Sequence, residues 1–123
     1  MLTGNLENSR NVQGRFLVYV KDFLKSIEVK DIALFYSEDK VTYVVTRNNE
    51  RFYIARTLNQ LEERVDNKQF FRVNRMHLLS YESIHKIEPY LGNRLLVFLK
   101  LPIDTKVIVS REKVSDFKNW LNH

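Results

Sequence analysis

The sequence predicts a mainly β, antiparallel fold of nine or ten short strands with two short helices. Short runs of aromatic and β-branched residues alternate with turn residues along most of the 123-residue chain. The strand–helix–strand alternation that a parallel sheet requires is missing from the pattern. Most connections are also too short for crossovers, so neighbouring strands should pair antiparallel.

Five runs in the first half are predicted to form a meander. Lys21-Asp22 suits a tight turn between the first two runs. Asn48-Asn49 predicts a hairpin between the last two, because Asn tolerates positive φ. The five predicted strands are residues 16–20, 23–29, 32–37, 41–47 and 51–55.

A short helix is predicted after these strands. Thr57 followed by Gln60 fits a capping box, in which a hydroxyl and an amide satisfy free backbone donors at the helix start. Leu58, Leu61 and Val65 form one apolar stripe at helical spacing, which should face the core. The helix should end at residues 66–68.

The second half returns to β structure. Residues 70–79 form one β-like stretch, in which Phe71 and Val73 should face one side and Arg72 and Asn74 the other. Residues 84–90 and 94–100 flank a good turn at residues 91–93, and residues 106–109 make the last strand. The segment from residue 95 to residue 99 is apolar on both faces, which predicts a strand between two layers.

A second helix closes the chain. Ser110 is the predicted N-cap, and Glu112 lies in the predicted first turn. Apolar residues at helical spacing follow, and they are Val114, Phe117, Trp120 and Leu121.

Composition indicates one cytoplasmic domain. Residues 1–14 are polar and without periodicity, which predicts a linker or disordered tail ahead of a domain at residues 15–123. No apolar run approaches the roughly 20 residues of a membrane helix, and the first residues lack the apolar region of a signal peptide. The absence of cysteine excludes disulfides and thiol chemistry.

The charge balance predicts a polyanionic partner. The net charge is +5, and seven basic residues face three acidic ones between residues 70 and 111. The alternative is a solvated basic surface without a partner. No enzymatic site is predicted from the sequence. His77, His85 and His123 have no second ligand at metal-binding spacing, and the three glycines form no phosphate-binding loop. We therefore expect no catalytic residue, no cofactor and no metal.

Basic residues cluster at two places that could contact DNA. Arg72 and Arg75 flank Asn74, and an arginine can bind guanine through two hydrogen bonds while Asn can bind adenine. Arg111 and Lys113 begin the predicted last helix, where backbone N–H groups suit a phosphate oxygen. Each has a simpler alternative, since Arg72 could form a surface ion pair and Arg111 could merely start a helix. The two helices are too far apart for a helix-turn-helix, so DNA would be read from loops and strand ends.

Three stretches between about residues 16 and 121 resemble the LytTR family of DNA-binding domains. Residues 29–38 are similar to an early family strand, with Asp-Ile followed by alternating apolar and aromatic residues and a final acid. The Thr57 helix followed by residues 70–75 (Phe-Phe-Arg-Val-Asn-Arg) resembles the family's helix and F-x-R-x-H-R segment. Residues 109–111 resemble its V-S-R end, and the spacing between the three stretches agrees.

The resemblance implies an elongated antiparallel β-sandwich of about ten strands in stacked sheets. It also implies that loops enter successive major grooves over paired promoter repeats. Asn74 stands where the family commonly has His, and Met76-His77 replaces the usual small residue and its neighbour, which places the details of base contact in question. The DNA-binding residues implied are Arg75, Arg111 and the turn around Lys40 and Thr42, with Arg72, Asn74 and Lys113 as supporting candidates.

The resemblance also implies partners. Family members usually carry a phosphorylated receiver domain ahead of this module, and the linker-like start favours an output domain excised from such a response regulator. The domain should be monomeric alone and should pair on double-stranded DNA. The alternative is a β-rich module that binds RNA or a protein partner, with open-face aromatics supplied by Phe35, Tyr36, Tyr43, Phe52 and Tyr53.

Overall fold

Ten strands and two helices form the described part of the computed structural model, residues 12–102 and 105–122. Most of the predicted linker, residues 1–11, lies outside this part, as do residues 103 and 104 of the connection before the last strand. The helices are α1 (Leu58–Glu62) and α2 (Val114–Leu121). The strands are β1 (Arg15–Val20), β2 (Phe23–Glu28), β3 (Ile32–Glu38), β4 (Val41–Thr46), β5 (Arg51–Ile54), β6 (Phe70–Asn74), β7 (His77–Ser80), β8 (Ile84–Tyr90), β9 (Arg94–Leu99) and β10 (Lys106–Val109).

The strands form two antiparallel sheets. The larger sheet has seven strands in the order β2-β1-β5-β4-β3-β7-β6, and the smaller has three in the order β10-β9-β8. Every pairing is antiparallel, which confirms the predicted fold class. Neither helix of the described chain is long and apolar enough to span a membrane.

The predicted meander of β1 to β5 is wrong, because β1 pairs with β5 and β2 lies at the sheet edge. A single residue pair, Tyr19 with Tyr53, joins β1 to β5. The rings of Phe16 and Phe35 lie 5.5 Å apart, whereas three strand spacings in a flat sheet would separate β1 from β3 by about 14 Å. The β1–β2 hairpin therefore folds over one face of the sheet, where it covers apolar residues of β3.

Two hydrophobic cores lie on opposite faces of the larger sheet. Strand β3 supplies both, since Phe35 packs in the core under the β1–β2 hairpin and Leu34 packs against the smaller sheet. Helix α1 closes the first core with its predicted apolar stripe. The predicted capping box at its start is confirmed, because the Gln60 N–H donates to Thr57 Oγ1 and the Thr57 N–H to Gln60 Oε1.

Residues 70–79 form two strands rather than one. Strand β6 pairs with β7 across a turn at Arg75 and Met76. Phe71 and Val73 face the second core, as the alternation predicts. The register shifts between Arg72 and Asn74, and beyond that shift Asn74 reaches the backbone of β10. A bulge of this kind changes the direction of one side chain, so the two-residue alternation of a strand does not predict the position of the Asn74 side chain.

Two further predictions in the second half are corrected. Strand β9 does not lie between two described layers, because Phe98 is half-buried on the outer face with the ammonium groups of Lys86 and Lys106 4.7 and 5.7 Å from its ring. Long lysine side chains can cover apolar surface in this way without a third layer. Ser110 does not cap α2, since its side chain makes no cap hydrogen bond and a 3-10 turn, Arg111–Lys113, comes before the helix.

Candidate nucleic-acid interface

Several turns meet at one end of the domain, which we call the turn end. The β3–β4 turn lies beside the β6–β7 turn, because the Ser37 N–H donates to the Met76 carbonyl over 2.9 Å. The segment after β10 lies beside β6, because the Ser110 N–H donates to the Val73 carbonyl over 3.0 Å. Pairing of Val109 with Leu95 places this segment near the β8–β9 turn as well.

The turn end is rich in cations. The β5–α1 connection joins it, since Lys40 and Arg56 line one surface pocket, and Arg94 and Arg111 line another with Gly92. Nearby acids are Glu38, Asp39 and Glu112, and Glu62, Glu63 and Asp116 line the groove that also holds Lys113. The cations at this end are Lys40, Arg56, Arg75, Arg94, Arg111 and Lys113.

Of the two residues predicted in the β3–β4 turn, only Lys40 is presented to solvent. Asp39 and Lys40 both have positive φ, 53° and 66°, which forms a tight turn that leaves Lys40 exposed. Thr42 is 6% exposed and pairs with Ser37 and Ile54 within the sheet. Thr42 therefore supports the turn from below.

Arg72 donates its side-chain hydrogen bonds to acceptors within the domain. Its Nη1 donates to Asn59 Oδ1 and Glu62 Oε1, both at 3.0 Å, and its side chain is 15% exposed. Its Nε donates to the Asn74 carbonyl at 3.0 Å, and its Nη2 to the Arg75 carbonyl at 2.7 Å. This guanidinium links α1 to the β6–β7 turn and stabilises the conformation of that turn.

Asn74 holds the same turn from its other side. Its Nδ2 donates to the Ile108 carbonyl of β10 over 2.6 Å, and its Oδ1 accepts from the Met76 N–H over 2.7 Å. The Nδ1 atom of His77 lies 3.0 Å from the same oxygen. Asn74 therefore connects the two sheets, and its amide is occupied within the protein.

Arg75 is the exposed residue that this framework supports. Its carbonyl accepts from Arg72, while its guanidinium makes no hydrogen bond or ion pair with any residue in the described ranges. A free guanidinium has five N–H donors for an external acceptor. The β6–β7 turn thus combines a fixed backbone with an unoccupied arginine side chain.

Arg111 is presented in a similar way. Ser110 is fixed to Val73 through its N–H, and its Oγ lies 3.3 Å from the same carbonyl. Arg111 follows directly, is exposed and has no side-chain partner among residues 12–102 and 105–122. Lys113 is half-buried at the end of the 3-10 turn, where it lines a groove with Arg72 and Trp120.

Arg94 was not among the DNA-binding residues predicted from the sequence. Its guanidinium lies 5.0 Å from the Tyr90 ring, and its Nε donates to the Leu91 carbonyl over 2.8 Å. Gly92 has a φ of 68°, which lets the β8–β9 turn close beneath this side chain. The signal was an aromatic residue and an arginine on either side of a Leu-Gly-Asn turn, but charge counting alone did not single it out.

The histidines form no metal site in the described chain, where no group of three or more His, Asp or Glu residues is placed to hold an ion. His77 is half-buried, and its ring stacks on Tyr36 with centroids 6.2 Å apart. Burial lowers the pKa of His77 below its ordinary value, so the ring is neutral at pH 7. His85 is exposed on β8.

Curated relatives of the chain are regulators. It is 29% identical over 94 residues to the transcriptional regulatory protein YpdB of Escherichia coli, covering 76% of the chain and 38% of YpdB. It is 31% identical over 107 residues to the sensory transduction protein LytT of Enterococcus faecalis, covering 86% of the chain and 39% of LytT. It is 29% identical over 104 residues to the heme-containing CO-sensing transcriptional regulator RcoM 1 of Paraburkholderia xenovorans, covering 85% of the chain and 38% of that regulator. The chain thus spans about two fifths of each relative.

A structural match and a family-model match agree with the similarity to these regulators. A LytTr DNA-binding domain from Bacillus cereus superimposes with a TM-score of 0.81 at 19% identity, covering 90% of this chain and 99% of that one. The family model for the LytTr DNA-binding domain matches residues 22–122, which include all three stretches that carry the resemblance. The chain therefore belongs to the LytTR family of DNA-binding domains.

Proposed function

We propose that the domain binds double-stranded DNA and discriminates base sequence with the turn end. The observation that carries this proposal is Arg75, whose exposed guanidinium has no partner among the described residues and lies on a turn that Arg72 and Asn74 hold by hydrogen bonds. A preorganised turn reduces the entropy lost when the side chain is fixed on a base. Arginine also matches the O6 and N7 acceptors of guanine with two parallel hydrogen bonds.

Arg111 is the second base-reading residue in this proposal, and lysines position the domain on the phosphates. Arg111 and Arg75 extend from neighbouring segments, because Ser110 is hydrogen-bonded to Val73. Lys40 and Lys113 flank these arginines, and a lysine is a point charge suited to a phosphate oxygen. Arg94, which is stacked on Tyr90, adds a phosphate contact at the β8–β9 turn.

We further propose that the domain is the DNA-binding output half of a two-component response regulator in the cytoplasm. An N-terminal receiver domain would carry the signal, and two copies, monomeric in isolation, would pair on repeated promoter sites. The names of YpdB and LytT, a transcriptional regulatory and a sensory transduction protein, support this role. RcoM 1 is named for heme-based CO sensing, so a different signal domain is the competing arrangement.

The test is site selection from a random duplex library. The unmodified domain should enrich one repeated motif, and Arg75→Ala should fail to enrich it. The matched control is Arg47→Ala, which removes an arginine at the opposite end, and it should select the same motif. Loss of enrichment in both variants, or in neither, would contradict the role of Arg75.

Recognition of single-stranded RNA is the second candidate, and an exposed tyrosine pair favours it. The rings of Tyr19 and Tyr53 lie 5.3 Å apart and are 45% and 42% exposed, which suits base stacking. Phe35, which was also predicted for this role, is buried in the first core and does not serve it. A preference for single-stranded RNA over duplex DNA, lost in Tyr19→Ala, would place this candidate first.

A further inference from the structure

A cleft of about 350 Å³ opens where the two sheets diverge. Its floor is formed by the apolar side chains of Leu34, Val45 and Val107, which belong to the second core. One wall is aromatic, because Tyr36 and His77 line the cleft with their rings stacked at an interplanar angle of 19°. A volume of this size lies within the range of small-molecule sites.

Arg51 provides the charge at the mouth of the cleft. Its Nη1 donates to the Tyr36 hydroxyl over 2.8 Å, and its guanidinium carbon lies 4.7 Å from the Tyr43 ring centroid. These contacts fix the guanidinium, and its other N–H groups make no hydrogen bond within the described ranges. The other basic residue at the cleft, Lys106, directs its ammonium toward Phe98 on the outer face of the smaller sheet.

The described lining of the cleft contains no carboxylate that would neutralise Arg51. The hydrogen bond that Arg51 donates to Tyr36 is the main cause that raises the pKa of Arg51 above its ordinary value, with a smaller contribution from the charge of Glu38, so the group remains a cation. An apolar floor, a flat aromatic wall and one fixed cation together match a ligand with a flat apolar body and one anionic group.

We propose that this cleft is a binding site for a small planar aromatic carboxylate. The aromatic body would lie over Leu34 and Val107 beside the Tyr36 ring, and the carboxylate would accept hydrogen bonds from Arg51. A charge-assisted pair with arginine fixes the orientation of the ligand as well as adding affinity.

The cleft is connected to the turn that carries Arg75. His77 lines the cleft and directly follows that turn, and its Nδ1 lies 3.0 Å from Asn74 Oδ1. The same oxygen accepts from the Met76 N–H. An occupant that moves the His77 ring therefore alters the hydrogen bonds that hold the turn, and this link would make the cleft a regulatory site.

The probe for this site is 1-naphthoate, titrated into the isotope-labelled domain and followed by amide NMR. We expect saturable shifts at Leu34, Tyr36 and Val107, with a dissociation constant below about 1 mM. Shifts should extend to the Met76 N–H, which donates to Asn74 Oδ1, and to the side-chain amide of Asn74 itself. Shifts confined to the cleft would overturn its link to the turn.

Two controls isolate the role of Arg51. Arg51→Gln should lower the affinity for 1-naphthoate by at least about tenfold. The affinity for neutral 1-naphthamide should remain unchanged. Arg47→Gln should leave the affinity for both compounds unchanged, because the Arg47 guanidinium contacts the Lys30 carbonyl and Glu82 and does not line the cleft. A thermal melt should verify that each variant is folded. Equal affinity of 1-naphthoate for wild type and Arg51→Gln, or no saturable shift of the cleft amides, would overturn the proposal. Since the assay contains no DNA, failure of the proposed DNA reading would not change its result.

Discussion

The two ends of the domain differ in how their cationic side chains are paired within the described residues. At the turn end, Arg75 and Arg111 have no partner within the described ranges. At the opposite end, Arg47 lies 3.8 Å from Glu82 and donates to the Lys30 carbonyl over 2.7 Å. Arg15 and Lys30 lie 3.5 and 3.9 Å from the carboxylate oxygens of Glu28.

The net charge of +5 is therefore not distributed evenly between the two ends as charge available to a partner. A cation that already has a carboxylate partner attracts a polyanion weakly, because the fields of the pair cancel at a distance. Unpaired cations keep their field and their donors. This contrast supports the turn end as the proposed DNA-binding surface, and four predictions test that proposal.

The largest effect is expected from Arg72→Ala. The change removes a guanidinium that donates hydrogen bonds to α1 and to two carbonyls of the β6–β7 turn. Because those acceptors lose their donors, we expect the free energy of unfolding to fall by about 2–3 kcal/mol. Duplex binding should weaken as well, although Arg72 faces inward. Urea denaturation measures the first effect. Arg47→Ala is the matched control and should cost less than about 1 kcal/mol, since its side chain is 40% exposed. An equal loss of unfolding free energy in Arg72→Ala and Arg47→Ala would contradict the difference between the two ends.

A smaller effect is expected from Arg75→Lys, which keeps the charge but removes the planar pair of donors. Discrimination between the selected duplex and a random duplex should fall by about 1–3 kcal/mol. The dependence of affinity on salt should remain that of the wild type. Binding isotherms on both duplexes at several salt concentrations measure this. Full discrimination in Arg75→Lys would reassign Arg75 to a phosphate.

Lys113→Ala should change salt dependence rather than specificity. Loss of one phosphate contact should flatten the slope of log affinity against log salt by about 0.9. Selected and random duplexes should lose affinity alike. Lys25→Ala, on the β1–β2 hairpin away from the turn end, should leave the slope unchanged. A loss restricted to the selected duplex would show that Lys113 reads a base.

The smallest effect concerns pH and His77. Burial lowers its folded-state pKa below the ordinary 6.5, so the unfolded chain takes up the proton first as pH falls. Stability should therefore decrease below about pH 6.5 until the folded state is protonated too. The ring faces Tyr36, which bonds to Arg51, and the Asn74 oxygen. Urea denaturation at neutral pH and near pH 5 should reveal this decrease in the wild type and in His85→Gln, whose ring is exposed, but not in His77→Gln.

Local pattern accounted for most of the secondary structure. The Thr57 capping box, the Lys21-Asp22 turn and the strand alternation through Phe71 and Val73 depend on neighbours within a few residues, and the structure confirms them. The strand order was not predictable in this way. Pairing of β1 with β5 depends on residues 34 positions apart, Tyr19 and Tyr53, so no local signal records it.

The candidate site was predicted in part. Residue types and the family resemblance placed Arg75, Arg111 and Lys40 at the interface that the structure assembles into the turn end. Thr42 belonged to the same predicted turn, but its position within the sheet buries it. Arg94 was not predicted, because its contact with Tyr90 forms only when the β8–β9 hairpin closes.

The β character, the helix start at Thr57, the excess of basic residues and the residue types available for DNA all follow from local sequence. Tertiary packing determines which arginine lacks a partner among the described residues. Arg72 and Arg75 have the same chemistry and lie three residues apart, yet one is held inside and the other is exposed. The reason is that the partners of this segment come from distant positions, with Glu62 bonded to Arg72 across 10 residues and Ile108 to Asn74 across 34. Such contacts exist only once the two sheets and α1 have packed together.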